Sequence, residues 1–269
     1  MSSLARLLVL SSLALGSATA TTVVIDDHFD DGTVTGWTSM GNGRTFSAHN
    51  ISESGTTLTS EIIETQSDTH RGVISDSSFD PSSEAGGFSM TFVVSSQGTA
   101  APGANGFFLG TTTATAGFFR NLDNFGLTFF GHATRTNSVN GVSLIVGDNN
   151  GGAAADFILD AQPGTITLAA LQDGFTATIG ADPTGWSYSI AGVDSALSGS
   201  GTWAAAGTDF ATVFGGDTSW HALGSNQGPG GTPQSHTVAY DQITVTTIPE
   251  PSSALLLMSA IALIGRRRR

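Results

Sequence analysis

The sequence contains no cysteine and no lysine. Without cysteine, the chain can form neither disulfides nor cysteine-ligated zinc sites, and it has no thiol nucleophile. All nine of its basic residues are arginine, and four of them form the C-terminus. Between residues 21 and 247, four arginines face 21 acidic residues, which gives a net charge of −17. This charge excludes nucleic-acid binding, which needs clustered basic residues, and argues against binding to an anionic membrane surface.

Charged residues of either sign are also scarce, at 12% of the 269 residues, whereas 39% are hydrophobic. Disordered chains have the opposite composition, with high charge and low hydrophobicity, so we expect this chain to fold. Its length suits one large all-β domain. We place that domain at residues 21–247, between two terminal segments of a different kind.

Residues 1–20 have the pattern of a cleavable signal peptide. One basic residue, Arg6, precedes an apolar run from Leu7 to Leu15. Ala18 and Ala20 then supply the small residues that signal peptidase accepts, and we expect cleavage after Ala20. The alternative, a short buried N-terminal helix, is less favoured because the acidic body begins directly after the run.

The C-terminal segment, residues 248–269, has three parts. Pro249-Glu250-Pro251 is followed by Ser252, Ser253 and an apolar stretch, and Arg266, Arg267, Arg268 and Arg269 end the chain. The fourteen residues 252–265 would span about 21 Å as a helix, which is short of the ~30 Å hydrocarbon core of a membrane. The arginines resist crossing the membrane and would hold this end on the cytoplasmic side during export. The pattern therefore predicts a transient membrane stop with a processing site on the outer side.

This tail closely resembles the PEP-CTERM sorting signal of Gram-negative bacteria in its motif, its order of parts and its terminal position. The resemblance implies recognition by an exosortase, a membrane-embedded cysteine transpeptidase, with cleavage near Pro249-Glu250-Pro251. It also implies transient insertion in the inner membrane, followed by release or attachment at the cell surface or in an exopolysaccharide matrix. Exopolysaccharide is then an expected partner of the body.

The body reads as β-strands, because apolar residues alternate with polar ones. Period-two alternation occurs at 88–94, 166–170, 175–179 and 186–190, with turn signals such as 181–185 between the runs. Consecutive strands joined by short turns predict an antiparallel meander and disfavour a parallel α/β fold. A helical turn is expected only around 208–214.

Weak motifs at both ends of the body resemble the concanavalin A-like jelly rolls, the lectin and glucanase sandwiches. These motifs are an opening segment from Asp26 to Gly32 that leads to Gly36-Trp37, and a closing strand from Val238 to Val245. The resemblance implies an all-β fold, an antiparallel jelly-roll-type β-sandwich in which the first and last strands pair.

No catalytic motif is visible. The glucanases of this fold use two carboxylates about 5 Å apart on one strand, and the corresponding Glu-x-Asp-x-x-Glu pattern is absent. Glu61 and Glu64 are close in sequence but would point to opposite faces of a strand. The sequence has no Gly-x-Ser-x-Gly, and its six histidines show no metal-binding spacing. We therefore predict a protein that is not an enzyme.

Calcium is the cofactor that the sequence suggests, as a structural ion. Asp26, Asp27, Asp30 and Asp31 place four carboxylates within six positions, and Asp241 would lie near them if the terminal strands pair. Calcium takes six to eight oxygen ligands, many of them from such loops. A second candidate is the segment 148–152. At both places, the alternative is that the acidic residues only cap a turn and bind no ion.

Sugar binding without hydrolysis would need exposed aromatic rings. Trp220, beside a Gly-rich segment, and Trp37 are the candidate platforms, whereas Trp186 lies on an apolar strand face and is expected in the core. Together with the sorting tail, this favours an exported, non-catalytic, glycan-associated or matrix-binding module. The alternatives are a structural surface protein without a specific ligand and, less favoured, a polysaccharide hydrolase or lyase on the same scaffold.

Overall fold

The computed structural model describes residues 21–41, 48–63, 70–83, 86–97, 105–112, 124–129, 141–147, 157–163, 166, 168–215, 219–227 and 236–248. Within these residues the chain forms two antiparallel sheets, one of eight strands and one of seven.

The eight-stranded sheet contains both terminal strands of the described chain. Its strands are β1 (Val23–Asp27), β3 (Ala48–Ser54), β4 (Thr57–Ile63), β6 (Phe88–Gln97), β11 (Phe175–Asp182), β12 (Gly185–Ala191), β13 (Leu197–Thr202) and β15 (His236–Thr247). Their order across the sheet is β13-β12-β11-β6-β15-β4-β3, and β1 pairs with the C-terminal half of β15. The run β11-β12-β13 is the antiparallel meander predicted from the alternating pattern.

The seven-stranded sheet is built from β2 (Trp37–Gly41), β5 (His70–Phe79), β7 (Asn105–Thr112), β8 (Asn124–Phe129), β9 (Gly141–Gly147), β10 (Phe157–Pro163) and β14 (Ser219–Gln227). Their order is β10-β9-β8-β7-β14-β5-β2. Four consecutive strands, β7 to β10, form a second meander.

The core lies between the two sheets, because one face of each strand is apolar. On β6, Phe88, Met90 and Phe92 are fully buried, while the residues between them are partly exposed. Rings from opposite sheets meet in this layer: the centroids of Phe129 on β8 and Phe175 on β11 are 5.1 Å apart. Each large side chain buried in this way contributes about 1.5–3 kcal/mol.

Two short helices, α1 (Leu168–Gln172) and α2 (Phe210–Phe214), pack onto the sandwich. The strand predicted at 166–170 is wrong, since α1 occupies this place. The buried residues there are Ile166, Ala170 and Leu171, a spacing that lies on one face of a helix rather than of a strand. The helical turn predicted at 208–214 is confirmed by α2.

Helix α2 is capped at both ends. The side chain of Asp209 accepts a hydrogen bond from the Thr212 backbone N–H, and Gly215 takes the left-handed conformation after the last turn. Hydrogen bonds from Thr212 hold the pKa of Asp209 below its usual value. The caps position Phe210 and Phe214 against Trp203, so that α2 covers one region of the core.

The first and last strands pair, as predicted. Val23 lies opposite Thr246 and Asp27 opposite Ile243. Just outside the ladder, the Thr247 N–H donates to the Thr22 carbonyl at 2.9 Å, and the Thr22 N–H donates to Thr247 Oγ1 at 3.1 Å. Both ends of the body therefore leave the fold side by side.

Side-chain hydrogen bonds join the two sheets at their lateral edges. At one edge, the Tyr188 hydroxyl of β12 donates to Asp160 Oδ2 of β10 at 2.7 Å. Burial and the bond to Asp160 raise the pKa of Tyr188 far above its usual value, so this hydroxyl stays protonated. At the opposite edge, His49 of β3 contacts Ser39 of β2 and Ser60 of β4.

Candidate functional site

The acidic segment after β1 forms a turn whose carboxylates bind the local backbone. Asp27 Oδ1 accepts from the Phe29 N–H at 2.8 Å, and its Oδ2 accepts from the indole N–H of Trp37 at 2.7 Å. Phe29 has a positive φ of 52°, which the Asp27 contact helps to hold. Asp27 therefore fixes the turn and buries Trp37 rather than facing solvent.

Asp31 and Glu53 form a close carboxyl pair beside this turn. Asp31 Oδ1 accepts from the Thr33 N–H at 2.8 Å, while Glu53 Oε1 accepts from the Gly32 N–H at 2.6 Å. The hydrogen bonds from Thr33 hold the pKa of Asp31 below its usual value. Partial burial, with the nearby Asp31 and Asp27 carboxylates, raises the pKa of Glu53. The pair lies on an exposed rim rather than in a cleft.

The remaining predicted calcium ligands have other partners. Asp26 Oδ1 lies 3.3 Å from His28 Nε2 and accepts from the Thr244 hydroxyl, while Asp241 accepts from Thr57 Oγ1 at 3.0 Å. Asp30 is exposed. Within the described ranges, no three or more His, Cys, Asp or Glu side chains are grouped to hold a metal ion. The structure thus uses these carboxylates as turn and strand partners, and the second calcium candidate, 148–152, lies entirely outside the described residues.

Three of the four tryptophans are buried in the core, and the side chain of the fourth lies outside the described part of the structure. The prediction of Trp37 as an exposed platform is wrong: Trp37 is 6% exposed, and its ring centroid lies 5.9 Å from that of Phe29. Trp186, at 8% exposed, is in the core as predicted, and Trp203 is buried too. Trp220 lies on β14 opposite Thr112, but its side chain is outside the described part, so its role stays a prediction.

Hydroxyl side chains cover the outward face of the eight-stranded sheet. Outward residues of neighbouring strands stand in register and form two transverse rows. The first row is Ser198–Ser189–Thr178–Thr91–Thr244, and the second is Ser200–Ser187–Gly180–Ser89–Thr246. Neither row contains a charged residue, and Thr91 Oγ1 lies 3.2 Å from Thr178 Oγ1. The strongly acidic body thus carries no charge within these two rows, and the uncharged area ends at β1, where Asp26 lies opposite Thr244 and accepts a hydrogen bond from its hydroxyl.

Two shallow troughs lie at opposite ends of this hydroxyl face. One, of about 340 Å³ and here called the Gly180 trough, is lined by Gly180 and in part by Asp182, Ser187, Ser200, Thr202 and Ile248. The other, of about 410 Å³, is lined in part by Val93, Gly174, Thr176, Gly192 and Asp241. Gly174 and Gly180 are six residues apart on or beside β11, which places the troughs about 20 Å apart along the strand.

The predicted signal and sorting residues fall outside the described residues: Ala18, Ala20, Pro249, Glu250, Pro251 and Arg266 to Arg269. Within the described part of the chain, no helix has the length and hydrophobicity needed to cross a membrane. Of the glutamates considered for catalysis, Glu61 Oε2 accepts from Asn50 Nδ2 at 3.1 Å, and Glu64 is not among the described residues.

The outward hydroxyl face is visible in the sequence, because serine and threonine at alternate positions predict a solvated sheet face without charge. Serine or threonine occupies alternate positions of β6, β11, β12 and β13, and these positions all point away from the core. The rows themselves depend on register between strands far apart in the chain, such as Thr91 opposite Thr178 and Thr244. A single sequence does not carry that register.

No family model matches the sequence, and no curated protein does either. The fold, however, matches solved structures over most of its length. The catalytic domain of an endo-1,3-beta-glucanase (laminarinase) from Thermotoga petrophila RKU-1 is 16% identical with a TM-score of 0.54, covering 85% of this chain and 98% of that one. Peanut lectin is 8% identical with a TM-score of 0.53, covering 85% and 97%. A pseudo beta-1,3-glucanase of Mycobacterium tuberculosis is 13% identical with a TM-score of 0.52, covering 84% and 98%. The chain therefore has the concanavalin A-like jelly-roll fold.

Proposed function

We propose that this protein is an exported, surface-sorted module that binds a neutral glycan through its hydroxyl face without cleaving it. The observation that carries the proposal is the pair of uncharged hydroxyl rows on a body of net charge −17, flanked by two troughs that each contain a carboxylate able to accept hydrogen bonds from a sugar, Asp182 in one and Asp241 in the other. Sugar hydroxyls exchange hydrogen bonds with serine and threonine hydroxyls, each of which both donates and accepts. A neutral polymer also avoids the repulsion that an anionic one would meet near this body.

The structural neighbours support the ligand class. They include a glucanase that acts on beta-1,3-linkages and a lectin, so the jelly-roll fold is compatible with both cleavage and binding of sugars. Binding is favoured here because the close carboxyl pair Asp31–Glu53 lies on an exposed rim, and the hydroxyl rows contain no carboxylate. The spacing of about 20 Å between the troughs favours a polymer over a single sugar.

Filling the Gly180 trough is expected to weaken glycan binding. A Cβ at Gly180 would meet Ser187 Oγ at 3.2 Å, which rotation of the serine hydroxyl relieves, and the Phe88 carbonyl at 3.7 Å. Gly180 lines the trough, so the side chain of Gly180→Val would occupy part of it. We expect residues 21–247 to bind a neutral polysaccharide such as laminarin on a glycan array, and Gly180→Val to lower the affinity about tenfold, roughly the loss of one good contact.

The matched control is Ser198→Val on the same face but outside both troughs, which should change the affinity less than about twofold. If the body binds no neutral glycan on the array, with or without added calcium, the proposal fails. If both variants lose affinity equally, the Gly180 trough is not the site.

Sorting by exosortase is the second part of the proposal, and the geometry of the ends supports it. Thr22 and Thr247 are hydrogen-bonded to each other, so the proposed leader and the proposed tail join the body at neighbouring points. From Ile248 to the apolar stretch there are five residues, which span at most about 18 Å. A folded body would therefore lie close to the outer surface of the inner membrane, where we expect the tail to be cleaved.

Replacing Pro249-Glu250-Pro251 by three alanines is expected to leave an uncleaved form in the inner membrane, because the motif would no longer be recognised while the apolar stretch and the arginines remain. Fractionation and immunoblotting of the exosortase-containing host would show nearly all of the variant in the membrane fraction. Ser252→Ala with Ser253→Ala is the matched control. Normal release of the three-alanine variant would contradict the sorting assignment.

A further inference from the structure

The lateral edges of the two sheets differ in how they are protected from pairing with another chain. Edge strands expose unpaired backbone groups, and charges, prolines or bulges normally block them. Strand β10 has all three: an inward Asp160, a register shift between Ile158 and Asp160, and a terminal Pro163. Strand β3 carries Glu53, and β2 is only five residues long with Ser39 bonded to His49.

Strand β13 has none of these devices. Its sequence from Leu197 to Thr202 contains no charged residue and no proline, and the ladder to β12 runs without a register shift. Ser198, Ser200 and Thr202 are exposed. Among the described strands, only β12 pairs with β13, so the other edge of β13 has no strand partner within the described part of the chain.

The residues of β13 are almost symmetric about Ser200. An antiparallel pair of two β13 strands with Ser200 on a twofold axis sets Ser198 opposite Thr202 and Gly199 opposite Gly201. The hydroxyl residues then all stay on the outward face, and only glycines meet on the inward face. No side chain of β13 obstructs this pairing.

The space beside both glycines is already filled from within the protomer. A Cβ at Gly199 would lie 2.3 Å from Asp160 Oδ2, and a Cβ at Gly201 would lie 2.5 Å from the Trp186 ring. The indole nitrogen of Trp186 is buried and has no hydrogen-bond partner. In the twofold pairing, Gly201 of one copy lies opposite Gly199 of the other, and directly opposed Cβ positions are about 4.5–5.5 Å apart. The Trp186 ring beside Gly201 therefore comes near the Asp160 carboxylate beside Gly199 of the other copy.

The distribution of charge also favours pairing of two copies at the β13 edge. Two bodies of net charge −17 repel each other, and repulsion is weakest where the approaching surfaces carry no charge. Strand β13 and the adjoining hydroxyl rows contain no charged residue, and the Asp160 carboxylate beside Gly199 is hydrogen-bonded to Tyr188 on the inward side. We propose that a second copy of this chain pairs with β13 about a twofold axis at Ser200, which joins the two eight-stranded sheets into one continuous sheet of sixteen strands.

Cysteine crosslinking in the full-length exported chain tests this pairing, because the natural sequence has no cysteine. Opposed Cα atoms of an antiparallel pair lie about 4.5–5.5 Å apart, within the range that a disulfide spans. We expect Ser200→Cys to give a reducible dimer as about half or more of the exported chain on non-reducing gels, since the periplasm favours disulfides. Ser187→Cys, opposite Ser200 on β12 but one strand from the edge, should crosslink about tenfold less, because its two copies would be too far apart.

The register has its own test. Chains carrying Ser198→Cys and Thr202→Cys should form a disulfide heterodimer when expressed together, whereas each alone should stay monomeric. A monomeric Ser200→Cys chain would overturn the proposal, as would equal crosslinking of Ser200→Cys and Ser187→Cys. Crosslinking of Ser198→Cys alone at the level of Ser200→Cys would overturn the axis at Ser200. The Ser198 and Thr202 pair also keeps the test valid if Ser200→Cys folds poorly.

Discussion

Replacing Phe125 by alanine is expected to lower the free energy of unfolding by about 3–5 kcal/mol. Phe125, on β8, is 2% exposed and lies where the seven-stranded sheet, the eight-stranded sheet and α2 meet. Its ring centroid is 5.4 Å from that of Phe214, 6.0 Å from that of Trp203 and 6.2 Å from that of Phe88. Alanine would leave a cavity that three separate elements line, and these elements cannot all move inward to fill it.

Urea unfolding followed by tryptophan fluorescence measures this loss, because Trp203 belongs to the same cluster. Phe125→Leu is the matched control, and it should cost only about 1.5 kcal/mol, since it retains most of the volume. A loss below about 1 kcal/mol for Phe125→Ala would mean that the cluster is loosely packed and that α2 does not stabilise the sandwich.

Replacing Gly126 by alanine is expected to destabilise the fold by about 3 kcal/mol, although it adds a single methyl group. A Cβ at Gly126 would lie 2.2 Å from the Leu109 carbonyl oxygen and 2.7 Å from the Gly110 Cα. Both are backbone atoms of β7, so relief requires the two strands to separate. The Phe108 ring, 2.9 Å from the same position, would have to move as well.

Gly180→Ala is the control for this change. It also lies inside a strand, but its nearest new contact would be Ser187 Oγ at 3.2 Å, and a serine hydroxyl can rotate away. We expect Gly180→Ala to be neutral or to stabilise by up to about 1 kcal/mol, because glycine costs more conformational entropy than alanine. Equal melting temperatures for the Gly126→Ala variant and the natural protein would show that β7 and β8 are not as close as described.

The alternating pattern predicted β6, β11 and β12 because their two faces differ in polarity along the chain, and that difference is local. The same rule gave the wrong element at 166–170, where Ile166, Leu168 and Ala170 alternate but the buried side chains include Leu171. In a five-residue segment, helix and strand periods are hard to separate. Tertiary packing against β6 selects the helix there.

The site was less predictable than the fold. Trp37 was predicted as an exposed aromatic platform, yet Asp27, ten residues earlier, accepts a hydrogen bond from its indole N–H and allows the ring to be buried. The same acidic turn looked like a calcium site, since sequence spacing gives no direction for a carboxylate. Alternate serines and threonines predict the hydroxyl face itself, but its transverse rows and its troughs arise from pairing between strands that are up to about 150 residues apart, which no local pattern encodes.

The adjacency of the two ends has a mechanical consequence. In the antiparallel pair of β1 and β15, Val23, the first residue of β1, lies opposite Thr246, the last residue but one of β15. A pull applied between these two ends would load the backbone hydrogen bonds one at a time, as in unzipping, rather than all together, as in shear. A chain held at both ends would therefore open at low force from Thr22 and Thr247 inward. A chain held at one end alone is not pulled apart across this strand pair, so attachment by a single terminus, as proposed above, leaves the hydrogen bonds between β1 and β15 unstretched.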